Sequence, residues 1–397
     1  MDSELRSHGV IAKIHFFPVG CGDMTLVEFS SGKKLVIDVN IRSAADDPDD
    51  STPDVAAMLK DRLNKDDKGR PYTDAYLTSH PDEDHCRGFA KHFYTGAPED
   101  YPMGSSKILI RELWSSPIAF RRASANHTLS DDAKALNAEA RRRVAKFRKV
   151  GTVVGDGDRI LILGEDEGGK TDDLGTILVK VDQEIKHING TRDDTFKARL
   201  LAPLPKDEED EEVSKNDSSV VIQFTLNGTS QYLTGGDAEV TVWETLWERH
   251  KRNEYKLHYD LLLTPHHCSW HSLSHDSWSE CGEDAKVSPP ARNALSRTRS
   301  NARLMASSKR ITDDDNDPPC IRAKREYEDI AEEANGEFLC VMEEIDEDQP
   351  APIEFEVTER GFRRVGQMEK AKAVAPSVFS SGSSPKEASK QGGGRYA

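Results

Sequence analysis

The stretch TSHPDEDHCRG, Thr78 to Gly88, places two histidines and three acids within the six positions His80 to His85, directly after the strand-like run TDAYL. A chain that ends a buried strand in so many ionisable groups must either solvate them in a turn or pair them in a site, because isolated charges are not buried without large cost. Read alone, the stretch fits a hydrogen-bonded charged turn as well as one half of a metal site. Two further apolar runs end the same way: YLTGGDAE delivers Asp237, and LLLTPHHCSWHS delivers His266 and His267. Imidazole nitrogen and carboxylate oxygen are ligands that zinc and manganese both accept, and a short loop bearing several of them lowers the entropy cost of assembling a site. His80, Asp82, Asp84 and His85 are the candidates of the first loop. Alternate positions of an extended loop point to different sides, so His80 and Asp82 can serve one ion while Asp84 and His85 serve a neighbour. Three strand ends carrying such groups favour a metal site over three unrelated turns.

Around these loops the text is that of an α/β protein. IAKIHFFPVG, MTLVEF and LVIDV read as three short antiparallel strands with a hairpin turn at Ser31-Gly32. Residues 52–64 read as a helix capped by Thr52 with Pro53 at its first position, and the region 117–150 as helical up to RRRVAKFRKV. Strands resume in DRILILG, TILVKV, FKARLLAPL, SSVVIQFTL and SQYLTGG. The helix AEVTVWETLWERHKR precedes the strand DLLLTPHH, and ARLMASS, CIRAKREYEDIAEEA, GEFLCVM and IEFEVTE alternate strand and helix to the end. Strands thus gather in two sets separated by helices, which suggests two packed sheets with helices outside. The expected domain covers 8–368, interrupted by an acidic loop at 206–215, with a disordered tail at 369–397 where Ser, Gly, Lys and Ala dominate.

A net charge of −17 disfavours a whole-surface attraction to nucleic acid or anionic membrane, so a phosphate partner must be held locally. No basic n-region with an apolar run opens the chain, and no stretch approaches a membrane span. Six dispersed cysteines without a C-x-x-C pair indicate neither a disulfide framework nor a zinc knuckle. The expectation is a soluble, cytoplasmic protein.

The ordered set FFPVGCGDMTLVEF, LVIDVN, LTSHPDEDHCRGF, NDSSVVIQF, YLTGGDAE and LLLTPHHCSWHS resembles the metallo-β-lactamase fold, and in particular the hydrolase domain of the DNA-uptake protein ComEC and its soluble stand-alone relatives. The match runs from about Ile11 to Val357. The resemblance implies a four-layer αββα sandwich holding one or two divalent ions, zinc or manganese. By the same resemblance, His80 and Asp82 bind the first metal, Asp84 and His85 the second, Asp237 bridges them, and His266 completes the second site. Asp38 is the buried acid that buttresses the loop, and Asp23 brings another acid near the pocket. Asn216 and Ser218 stand about where many relatives place one more histidine, so the first site is short of a strong ligand. Asp82, where the wider superfamily has histidine, agrees with the ComEC branch. Cys268 reads either as an extra soft ligand or as a small residue filling space, and the region of Asp317 falls where close relatives carry a histidine before proline.

The implied activity is metal-dependent hydrolysis by an activated water, with a phosphodiesterase or nuclease favoured. Asp84 would orient the water and His267 donate to a substrate oxygen or leaving group, His267 reading equally as a packed histidine. Ser269, Ser272 and Ser274 offer hydroxyls for phosphate oxygens. His271 and His275 read as surface residues. Residues 286–310 hold seven Lys or Arg and no acid, and RRRVAKFRK is a second basic cluster. These are either stripes for a nucleic-acid or nucleotide substrate or solvated faces. Hydrolysis of a small-molecule or protein-conjugate ester or amide, and a non-catalytic metal-binding scaffold, stay open. A bacterial defence setting belongs to the resemblance alone.

Overall fold

Apolar side chains alternate or run continuously along the strands of two mixed sheets, eleven-stranded and seven-stranded among the described residues, and the position of each polar turn decides where the ionisable groups emerge. The computed structural model describes residues 11–117, 129–165, 169, 171–204 and 218–366. The acidic run at 206–215, Asn216 and the tail at 369–397 fall outside them.

The first sheet begins with Lys13–Phe16 (β1), Thr25–Glu28 (β2) and Lys34–Ile37 (β3), paired antiparallel. It continues through Pro71–Thr78 (β4), Ile108–Ser115 (β5), Arg159–Leu163 (β6) and Leu178–Val179 (β7), each parallel to its predecessor. The second sheet runs Glu184–Ile185 (β8), Phe196–Ala202 (β9), Val221–Leu226 (β10) and Ser230–Thr234 (β11), all antiparallel. Tyr259–Leu263 (β12), Thr298–Ala306 (β13) and Glu337–Cys340 (β14) then add in parallel. Ile353–Thr358 (β15) and Gly361–Arg364 (β16) return to the first sheet beside β1.

Each sheet therefore changes from antiparallel to parallel once along this path, at β3/β4 and at β11/β12. Ligand crevices open where neighbouring connections diverge at the carboxyl ends of strands. The segments after β3, β4, β11 and β12 carry Asp38, His80, Asp237 and His266 respectively, so both switch points supply ionisable groups.

Three apolar clusters accompany the sheets. One joins residues of both, among them Phe16, Leu35, Leu77, Trp114, Phe224, Tyr232, Leu263 and Phe355. A second sets β12 and β13 against the helices Val240–His250, Pro289–Leu295 and Ile321–Glu333 through Trp243, Leu246, Leu295, Tyr327 and Ile330. A third sets β3 to β6 against Val55–Arg62 and Asp131–Val150 through Leu59, Tyr76, Leu136 and Val144.

Two local expectations shift. The helix expected from residue 52 starts at Val55, because Asp54 and not Thr52 accepts from the Ala57 N–H, at 2.9 Å. Pro289–Leu295, capped by Ser288 and opened by proline, is a helix inside a segment read only as basic. No helix among the described residues is long and apolar enough to cross a membrane.

Candidate metal centre

Asp38 leaves β3 with a positive φ of 50° and turns its carboxylate under the loop that follows β4. The Ser79 N–H donates to Asp38 Oδ1 at 2.8 Å, and the Ser79 hydroxyl donates to Oδ2 at 2.5 Å. His85 Nδ1 lies 2.9 Å from the same Oδ2. That contact places the proton on Nδ1 and leaves Nε2 as an available donor atom, the usual orientation of a metal-binding imidazole. His80 and His85 are fully buried, with ring centroids 4.2 Å apart.

Asp237 arrives from the other sheet. Gly235-Gly236 lets its backbone close on the first loop: a Cβ at Gly236, whose φ is +49°, would meet the Ser79 Cβ at 2.8 Å. Ser219 accepts the Asp237 N–H at 3.2 Å, and the Val220 N–H donates to the Ser79 carbonyl at 3.1 Å. Gly22 plays the same part for the turn bearing Asp23, since a Cβ there would strike the Asn40 amide and the Asp84 carbonyl.

The two oxygens of Asp237 face different groups. Oδ1 lies 2.9 Å from His85 Nε2 and 3.4 Å from His267 Nε2. Those two nitrogens are 3.2 Å apart, and His267 Nε2 is 3.4 Å from Asp84 Oδ2. Four ligands of a tetrahedral ion with bonds of 2.0–2.2 Å stand about 3.3–3.6 Å from one another; the two His267–carboxylate contacts at 3.4 Å match such an edge, the two His85 contacts at 2.9 and 3.2 Å are shorter, and all four atoms lie within 4.8 Å of one another. Asp237 Oδ2 lies 3.5 Å from His80 Nε2 and 3.7 Å from His266 Nε2, with Asp82 Oδ2 4.0 Å from His80. This second set is looser. His80 Nε2, Asp237 Oδ1 and His266 Nδ1 are buried polar atoms with no hydrogen-bond partner among the described residues, a condition that an ion would relieve at the first two.

The sequence reading joined His266 to Asp84 and His85 and gave His267 the proton-donating role; in the structure His267 stands with Asp84 and His85, and His266 faces Asp237 Oδ2, the oxygen that His80 also faces. The cause is the backbone. His266, His267 and Cys268 all take positive φ, at 51°, 51° and 68°, a conformation that costs ordinary residues energy and turns successive side chains unlike an extended loop. The His266 N–H is held by the Gly236 carbonyl at 2.9 Å. Asp23 orients His267 through a 3.3 Å contact to its Nδ1.

The buried carboxylates favour positive charge at this site. Burial opposes a charged imidazolium at His85 and at His267, yet Asp237, with Asp38 beside the one and Asp23 beside the other, outweighs it and holds both well above the ordinary histidine value. Against their own burial, Asp237 is held well below the carboxylate range by His85, His267 and His80, and Asp84 is held low by His267 and His85. At His266 burial outweighs Asp237 and lowers the value.

Comparison with known protein families finds no match, and comparison with curated proteins finds none. Solved structures do match. A mutant in the HARLDQ motif of a metallo-beta-lactamase from Cronobacter sakazakii aligns with a TM-score of 0.28 and 11% identity over 71% of this chain and 89% of that one. A second Cronobacter sakazakii structure described by the same motif has a TM-score of 0.25 and 11% identity, over 61% and 63%. A long form RNase Z from yeast has a TM-score of 0.26 and 11% identity, over 80% and 40%. The structural neighbours are metallo-β-lactamase-fold proteins, and likeness this remote carries no argument about activity.

Other expected contributors lie elsewhere or are engaged. Ser218 is buried. Ser269 accepts the His271 N–H, while the Ser272 and Ser274 hydroxyls donate to the Ala238 and Lys286 carbonyls, so those two are committed to the backbone. Cys268 is buried in the apolar cluster against the helices, and burial pushes its thiol well up, which suits a space-filling residue and not a soft ligand. Asp317 Oδ1 accepts the Trp270 N–H at 3.1 Å, His271 is half-buried with Nε2 3.8 Å from Asp317 Oδ2, and His275 is exposed.

The basic clusters are largely neutralised. Of the seven cations in 286–310, five pair with acids: Arg292 with Glu326, Arg297 with Glu254, Arg299 with Asp260, Arg303 with Glu337 and Arg310 with Glu347. In the helix Asp131–Val150, Arg142, Arg143, Lys146 and Arg148 pair with Glu139, Asp158 or Asp173. The sequence reading passed over Ser79, Ser219 and Asn40, small polar residues with no chemical signature of their own.

Proposed function

We propose that the chain is a metal-dependent hydrolase with a four-layer αββα metallo-β-lactamase sandwich, acting on phosphodiester bonds as a phosphodiesterase or nuclease of the ComEC branch. The observation that carries this reading is the divided carboxylate of Asp237, whose oxygens face His85 and His267 on one side and His80 and His266 on the other. The three apolar clusters support the layer order. His80, Asp82, Asp84, His85, Asp237, His266 and His267 would hold one or two ions, zinc or manganese, with the Asp84 set the tighter. When bound, such an ion supplies Lewis acidity that polarises the scissile group and eases deprotonation of a water. The protein's own contribution is to fix the imidazoles through Asp38, Asp23 and Ser79, and to hold Asp84, the most exposed carboxylate of the tight set, where it can orient a water.

The pairing of the basic clusters favours a second reading, a small-molecule or conjugate ester or amide, since a long nucleic acid finds few uncommitted cations on them. The experiment is turnover of labelled single- and double-stranded DNA and of bis(4-nitrophenyl) phosphate by the purified protein with added manganese or zinc, beside Asp84→Ala. Metal-dependent cleavage lost in the variant supports the phosphodiester reading. Metal binding without cleavage of any diester moves the assignment to the second reading or to a metal-binding scaffold.

A further inference from the structure

A cleft of about 610 Å³ opens beside the tight donor set, walled by Cys21, Pro81, Asp82, Asp84, Arg87 and Ser130. Asp82, Glu83 and Asp84 make its rim acidic, and Arg87 is the only cation among the described residues that line it. A monoanionic substrate entering such a rim is repelled unless positive charge meets it. Arg87 is built to stay there. Its backbone is stitched to the strand end after β3, where the Ile41 N–H donates to the Arg87 carbonyl at 2.9 Å. Its side chain is clamped from two directions: Nε donates to Glu83 Oε1 at 3.2 Å, and Nη1 donates to Asn40 Oδ1 at 3.2 Å. Asn40 is itself buried and held by the Cys21 carbonyl, to which its amide donates at 2.8 Å. Nη2 makes no hydrogen bond among the described residues. The guanidinium is thus pre-oriented with donors to spare, and its side chain is about one-third exposed.

We infer that Arg87 is the anion anchor of this cleft, a specificity-determining residue that donates from Nη2 to a non-bridging oxygen of a phosphodiester monoanion while the scissile phosphorus sits beside Asp84. A planar fork with fixed donors matches the oxygens of a phosphate and is weakly hydrated, so holding it in place adds selectivity for anionic over neutral substrates. The inference rests on the hydrolase reading and deepens it.

The test uses the full chain loaded with manganese, as wild type, Arg87→Gln and Arg87→Lys, with bis(4-nitrophenyl) phosphate as the anionic probe and 4-nitrophenyl acetate as the neutral one. In Arg87→Gln the ratio of kcat/KM between the anionic and the neutral probe falls roughly 10- to 100-fold, mostly through KM, and Arg87→Lys recovers part of it. An equal loss on both probes, or none, overturns the inference and makes Arg87 a support of the loop. If wild type turns over neither probe, the hydrolase reading fails by itself. Calorimetry with inorganic phosphate then decides the anchor: weaker phosphate binding in Arg87→Gln at unchanged metal content and thermal midpoint supports it, and unchanged phosphate affinity removes it.

Discussion

The two sheets furnish the two halves of the site in opposite ways. On the first, Asp38, Ser79 and His85 form a closed hydrogen-bonded network in which both carboxylate oxygens are satisfied. On the second, Asp237 Oδ1 and His266 Nδ1 are buried without hydrogen-bond partners among the described residues, and His266 to Cys268 hold a backbone that ordinary residues avoid. The first half is tied mainly within itself, with His80 Nε2 left unpartnered among the described residues. The second carries the longer run of positive-φ backbone, and unmet polarity converges on the site from both halves, the condition expected where a ligand completes the structure.

Breaking the second half should remove function and spare the fold. Asp237→Ala is expected to cut hydrolysis about 10³-fold or more, equivalent to about 4 kcal/mol of barrier, with a circular dichroism spectrum like wild type. Retained turnover in a folded Asp237→Ala protein would take the divided carboxylate out of the mechanism. Breaking the first half should do the reverse: Asp38→Ala leaves His85 and Ser79 without their buried acceptor and is expected to cost about 3–5 kcal/mol in urea unfolding. A loss as large in Asp237→Ala would erase the contrast between the halves.

The assignment of the two neighbouring histidines sharpens the comparison. His267→Ala is expected to weaken the tighter metal equivalent about 10- to 100-fold by competition with a chelator, whereas His266→Ala affects the looser equivalent. The opposite order restores the sequence-based assignment.

A pH titration tests whether acid sensitivity arises outside both halves. Burial, helped by Lys60 and Lys91, lowers His92 to about 4, and burial lowers His250 to about 4. The ordinary value is about 6.5, so between these limits the unfolded chain binds more protons and stability rises with pH. The contribution is complete above about 6.5 and is lost as pH falls toward 4. The thermal midpoint of a His92→Asn, His250→Asn double variant should therefore change less than that of wild type across this window. The smallest effect is expected at the basic segment: Arg299→Ala, which breaks a partly exposed pair with Asp260, should cost no more than about 1 kcal/mol in urea unfolding and leave turnover unchanged.

Much of this was legible beforehand for physical reasons that can be named. Polar side chains at the ends of apolar runs are visible in any one-dimensional reading, and five of the segments that meet at the site, around Asp23, Asp38, His80 to His85, Asp237 and His266, are of that kind. The helix at Pro289–Leu295 was missed because seven residues carry too little periodicity to separate from a loop, although Ser288 and the prolines mark its start. The availability of the basic segment 286–310 stayed open in the sequence because its counter-charges are remote: Arg299 meets Asp260 and Arg310 meets Glu347, partners 39 and 37 positions away. A charge run read without its partners looks available when it is spent.

By itself the sequence determined which chemical groups are present and which strands bring them to an end, since hydrophobic patterning places turns and turns expose polar residues. Tertiary structure decided which groups meet. Only the two switch points, facing each other across the interior, set Asp237 between four imidazoles. Only a left-handed backbone at His266 to Cys268 chose His267 over His266 for the tight set. Only long-range pairing engaged five of the seven cations of 286–310, whereas Arg87, paired with its near neighbour Glu83, is the cation of the described cleft wall. Each outcome depends on distances between residues far apart in the chain, and such distances are fixed by packing and not by local propensity.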